Sequence, residues 1–257
     1  MGMDGEVSSQ PVAAEPMAAG TNVAEGRVEP AAKATEAFRP AFQVDAFIWP
    51  TSVTKMGEAA GQCLDPVVDR LVVGSAKGRK VVAFEGCRRG DGCTTVLLAV
   101  ARRLAERRLR VVLVDADFDH PRLARRLGLA PEAGWEAVLA GRLPLAETVI
   151  ESVEDRLAIL PLGEPPAGED HAIDERPQPK ATMDVLREAY DLILVDVGRH
   201  TKRSRIDLRL SEGPERWLDA VLLVQNVRGT PETEIAESWQ RLRAAGIVDV
   251  AVVENFV

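Results

Sequence analysis

The sequence predicts an α/β fold, a parallel β-sheet covered on both faces by helices in three layers. Two observations lead there. From Lys80 onward, short continuous apolar runs alternate with amphipathic stretches of helical period. Strands buried on both faces read as such runs, and parallel strands need helical crossovers. Second, three of these runs end in a loop or carboxylate of chemical interest: Gly86 after Val81–Glu85, Asp115 after Val111–Val114, and Asp196 after Leu192–Val195. In such sheets ligands bind outside the carboxyl ends of the strands, so the fold should gather all three at one edge.

Taken in order, residues 1–42 are rich in Ala, Pro, Glu and Gly without a sustained period. They read as a disordered tail, because they lack the apolar surface that would offset ordering entropy. Residues 43–79 read as an N-terminal helical extension. Phe42–Pro50 should pack on the domain surface, and Glu58–Val73 should form a helix interrupted at Pro66. Residues 80–257 form the main domain. Its strands are expected at Val81–Glu85, Val111–Val114, Leu157–Leu162, Leu192–Val195, Ala220–Gln225 and Ile247–Val253. Helices are expected at Thr94–Arg107, His120–Leu127, Trp135–Ala140, Leu145–Glu151, Ala181–Tyr190 and Thr230–Ala245, the last with Pro231 at its first position. The Pro/Gly/Asp-rich stretch before Pro179 reads as a loop, and 199–216 as either loop or helix.

The chemistry concentrates in Val81–Thr95, VVAFEGCRRGDGCTT. An apolar strand, a glycine-rich loop and two threonines opening a helix match the phosphate-binding P-loop G-x-x-x-x-G-K-[ST] with one letter changed, Cys93 at the lysine position. Gly86, Gly90 and Gly92 let successive N–H groups turn inward as an anion nest, and the helix N-terminus adds partial positive charge. Arg89, Asp91, Cys93, Thr94 and Thr95 complete the nucleotide-binding set. Thr94, Asp115 and Asp196 are the candidate Mg²⁺ ligands. Asp115 and Asp117 are the candidate acid–base carboxylates. Losing the lysine removes a charge-assisted contact of about 1.5–3 kcal/mol, which Arg88 or Arg89 could replace. The bland readings are capping for the carboxylates and solvent for both arginines.

The net charge of −8 argues against nucleic acid as a partner. Three cysteines without framework spacing fit a reducing compartment. No apolar run is long enough to span a bilayer, so membrane association would come through a partner.

The succession GCRRGDGCTT, VVLVDADFDHPRLARRLGL, GWEAVLAGRLPLAETV, LAILPLGEPP and YDLILVDVG resembles the bacterial tyrosine kinases that control capsule and exopolysaccharide chain length. The resemblance covers about residues 80–257. It implies a P-loop NTPase fold of the deviant Walker A type, ATP or ADP with Mg²⁺ as ligands, and phosphoryl transfer weakened at Cys93. It further implies a cytoplasmic location at the inner face of the membrane, a membrane-embedded chain-length or export protein as partner, and a homo-oligomer. By resemblance Thr94 and Asp196 serve the metal, Asp115 and Asp117 the metal or the attacking hydroxyl, and Arg88 takes the place of a loop lysine found in partitioning relatives. Family members often carry a terminal tyrosine cluster; the sequence holds one tyrosine, Tyr190. Two other readings stay open: an inactive ATPase-like interaction module and a partitioning-type ATPase.

Overall fold

In the computed structural model, residues 38–163, 179–199 and 216–256 are described. The tail up to residue 37, the Pro/Gly/Asp-rich loop and most of 199–216 fall outside them. Eight strands form one sheet: β1 (Phe42–Val44), β2 (Val81–Gly86), β3 (Val111–Asp115), β4 (Ile150–Ser152), β5 (Leu157–Leu160), β6 (Leu192–Arg199), β7 (Ala220–Asn226) and β8 (Asp249–Asn255). Their order is β1-β4-β5-β3-β6-β2-β7-β8. Every pairing is parallel except β4 with β5.

The side-chain period of two sorts each strand between two cores. Val82, Phe84, Leu113 and Leu194 face the layer of α1 (Thr51–Ala76) and α2 (Cys93–Glu106). Val81, Ala83, Val112 and Val195 face the layer containing α4 (Trp135–Leu139), α5 (Lys180–Ala189) and α6 (Glu232–Ala244). Between β3 and β4 the chain also makes α3 (Leu123–Arg126) and a 3-10 turn at Leu145–Glu147. α2 is apolar enough to sit against the sheet: Leu97, Leu98, Val100 and Leu104 are fully buried, each stabilising by roughly 1.5–3 kcal/mol.

Four local expectations are corrected. Phe42–Val44, expected only to pack on the domain surface, is a partly exposed edge strand that pairs with β4. Leu145–Glu151 is one 3-10 turn followed by a strand, because Ile150–Ser152 finds the edge of β5. The first helix starts at Thr51 and breaks at Ala60 (φ −130°), beside Gly61, while Pro66 continues within it. Pro231 is the extended residue just before α6 (ψ 145°), so its carbonyl serves the first turn.

The β2–α2–β3 crossover leaves β6 between β2 and β3. Register then aligns Phe84 with Asp196 and Asp115 with Asp196. The glycine loop and two carboxylates therefore share one edge of the sheet.

Candidate nucleotide site

The loop after β2 is shaped by two left-handed glycines, Gly90 (φ 98°) and Gly92 (φ 82°). A Cβ at Gly92 would also lie 2.3 Å from Asn255 Nδ2. Asp91 is buried and holds the loop from within. Its carboxylate accepts from Arg88 N–H at 2.6 Å and from the Thr230 hydroxyl at 2.7 Å, and its carbonyl accepts from Asn255 Nδ2 at 2.8 Å. With Asp91 so engaged, the N–H groups of Gly90, Gly92, Cys93, Thr94 and Thr95 have no protein acceptor among the described residues. These residues line a cavity of about 1090 Å³. Unpaired donors at a left-handed glycine turn and a helix N-terminus form an anion nest.

On the carboxylate side, Thr94 Oγ1 donates to Asp196 Oδ2 at 2.6 Å. Cys93 Sγ lies 3.8 Å from Asp196 Oδ1, which also accepts from Gly198 N–H at 3.1 Å. Burial and the neighbouring Asp196 push the Cys93 thiol well up, so it stays neutral. Asp115 is buried and occupied: Oδ1 accepts from Asp117 N–H, and Oδ2 from Arg122 and Leu123 N–H. It thereby anchors the turn entering α3. Asp117 accepts from His120 N–H, and a Cβ at Gly198 (φ 63°) would meet its Oδ2 at 2.3 Å. Burial and then Asp196 raise Asp117 to about 7. Burial, with Asp196 adding, raises Asp115 as well, and burial raises Asp196. Among the described residues no three His, Cys, Asp or Glu side chains could hold a metal ion by themselves. Thr94 and Asp196, 2.6 Å apart, could serve one together, with phosphate and water completing its shell, as Mg²⁺ commonly requires.

The arginines divide. Arg88 is turned onto α6, where it pairs with both oxygens of Glu234 (Nε–Oε2 2.6 Å) and reaches the Gly229 carbonyl at 3.0 Å. Arg89 lines the cavity and has no partner among the described residues. A third, Arg126, was not singled out in the sequence. Its Nη1 donates to Thr95 Oγ1 at 3.2 Å, and its charge acts on Asp196 against the effect of burial. Thr230 and Asn255 were likewise missed. Each lies more than 130 residues from Asp91, and only sheet packing brings them together.

Glu85, buried at the end of β2, pairs with Arg241 and leaves Oε2 without a partner. Burial outweighs that arginine and raises Glu85 to about 7. Folded protein then holds a proton that the unfolded chain has released, so this stabilisation is lost as pH rises through about 7. The melting temperature of wild type should fall between pH 5 and pH 8, and fall less steeply in Glu85→Gln. Parallel profiles would remove Glu85 from that dependence. Asp115, Asp117 and Asp196 act in the same direction in both proteins.

Residues 79–213 match the family described as cellulose biosynthesis protein BcsQ. No curated protein matches the chain significantly. Among solved structures, the VpsO (VC0937) kinase domain superposes with a TM-score of 0.61 at 21% identity, covering 80% of this chain and 95% of that one. The kinase domain of the Escherichia coli tyrosine kinase ETK gives 0.55 at 20%, covering 72% and 73%. The septum site-determining protein MinD of Pyrococcus horikoshii OT3, complexed with Mg-ADP, gives 0.52 at 22%, covering 66% and 67%. At these identities the likeness is one of fold, the P-loop NTPase fold of the MinD type.

Proposed function

The chain belongs to the BcsQ family of cellulose biosynthesis proteins, and from that premise we propose that it binds a Mg-nucleotide in the cavity at the ends of β2, β3 and β6. The bound state would regulate synthesis or export of an exopolysaccharide through a membrane-embedded partner. The observation that carries the reading is that the N–H groups of Gly90, Gly92, Cys93, Thr94 and Thr95 have no protein acceptor among the described residues, and that these residues line a cavity beside the Thr94–Asp196 pair. Gly86, Arg89, Gly90, Asp91, Gly92, Cys93, Thr94 and Thr95 form the cradle. Thr94 and Asp196 would hold Mg²⁺, which neutralises phosphate charge when bound. Among the described residues no helix is long and apolar enough to cross a membrane, which is why the membrane side is assigned to a partner.

Turnover should be weak. Cys93 offers a neutral thiol where a lysine charge would follow the transferred group. Asp115 already accepts from three backbone N–H donors. This last observation favours a second reading, a module that binds nucleotide and does not hydrolyse it. The lone tyrosine, Tyr190, is buried, and burial raises its hydroxyl. It is therefore a poor phosphoacceptor in the folded chain.

The test is calorimetric titration of Mg-ADP and Mg-ATP, with phosphate release measured in parallel. Binding in the micromolar to millimolar range with little release is expected. A wild type that binds neither nucleotide at millimolar concentration would sink the proposal.

A further inference from the structure

A P-loop without its lysine needs another cation near the phosphates, or it binds them weakly. Six basic side chains border the cavity: Lys55, Arg88, Arg89, Arg122, Arg126 and Arg199. They are not equivalent. Arg88 is neutralised by Glu234 on α6. Arg89 has no anchor among the described residues, so ordering it on a ligand would cost most of its rotamer freedom.

Arg126 differs in how it is held. Asp115 Oδ2 accepts the N–H groups of Arg122 and Leu123, which fixes the entry to α3. The next turn carries Arg126 to the first turn of α2, where one N–H meets Thr95 Oγ1 at 3.2 Å. Among the described residues its guanidinium has no other hydrogen bond or ion pair. An arginine has five N–H donors in a planar fork. A guanidinium anchored by one donor presents the rest ready-ordered, in the geometry that suits phosphate. Arg126, Thr94 and Thr95 line the same cavity.

Resting on the nucleotide reading above, we propose that Arg126 is the phosphate-binding cation of this site, supplying from α3 the charge that Cys93 lacks in the loop. The ligand class is a nucleoside di- or triphosphate, and the contact is to its terminal phosphate oxygens. Asp115 then acts as a positioning residue, since it holds the segment that delivers Arg126. Thr95 is the anchor for the guanidinium.

The experiment is titration of ADP, and of adenosine as a phosphate-free control, into the full chain with Mg²⁺. The variants are Arg126→Ala, Arg126→Gln, Arg89→Ala, and Arg126→Ala in a Cys93→Lys background. Arg126→Ala and Arg126→Gln should each weaken ADP by about 10- to 100-fold, the range of a charge-assisted contact, and leave adenosine and the melting temperature unchanged. Arg89→Ala should cost less than Arg126→Ala, because the unanchored Arg89 side chain must be ordered on the ligand. In the Cys93→Lys background the Arg126→Ala loss should shrink, because the new lysine covers the same phosphates; such coupling is what a double-mutant cycle measures. Wild-type affinity for ADP in Arg126→Gln, or equal losses of ADP and adenosine, would overturn this assignment and leave the nucleotide reading standing. A wild type that binds no ADP would overturn both.

Discussion

Cys93→Lys is expected to tighten Mg-ADP binding about tenfold or more, since a charge-assisted hydrogen bond contributes roughly 1.5–3 kcal/mol. The backbone is already prepared for the substitution. Gly92 is left-handed, Cys93 opens α2, and the N–H groups of Gly90, Gly92, Cys93, Thr94 and Thr95 have no acceptor among the described residues. The new ammonium would enter the cavity beside Asp196, whose Oδ1 lies 3.8 Å from the present sulfur. Burial keeps this carboxylate and its neighbours Asp115 and Asp117 above the usual carboxylate range. A positive charge among them should favour their ionised forms. The variant should therefore also be more stable at pH 8 relative to pH 6 than wild type is. Calorimetry reads the first effect and thermal melting the second. An unchanged dissociation constant would mean that the loop does not cradle phosphate.

Trp135→Ala should lower stability by about 3–5 kcal/mol, the usual loss for a fully buried large aromatic. In a domain of this size that is a drop of about 10 °C in melting temperature. Trp135 is wholly buried, donates Nε1–H to the Thr182 hydroxyl at 3.1 Å, and packs on Phe118 at a ring distance of 6.0 Å. Truncation would open a cavity and leave the Thr182 hydroxyl without that partner. Phe118 directly follows Asp117, so the same cavity undermines the wall behind the carboxylates. Nucleotide affinity should fall together with stability. Trp135→Phe should recover most of the melting temperature. A loss under about 1 kcal/mol in Trp135→Ala would show that the site collapses onto the space.

The central strands were legible because each is a short apolar run buried on both faces. That pattern survives any neighbour, and β2, β3, β5, β6 and β7 fall where the runs do. The edge was not legible. Phe42–Val44 and Ile150–Ser152 are three residues each and partly exposed. Three residues carry too little periodicity to mark a strand; they become strands because partners are present. Prolines misled in both directions. Pro66 drew the helix break away from Ala60, and Pro231 drew the start of α6 one residue early.

The gathering of the glycine loop, Asp115 and Asp196 could be read from the chain alone, because strand ends of a parallel sheet share an edge. How those groups are used could not. Arg88 follows the loop's first glycine and reads as its cation, yet Glu234, 146 residues later, takes it. Nothing in the sequence singles out Arg126, yet Asp115 seats its segment against α2.

The sequence by itself determined a parallel α/β sheet with a glycine loop at one edge, because burial pattern and glycine conformation are local properties. Tertiary structure alone decided which arginine pairs with Glu234 and which with Thr95. A long flexible side chain goes to whichever carboxylate or hydroxyl the packed elements bring within its reach, and no spacing along the chain encodes that choice.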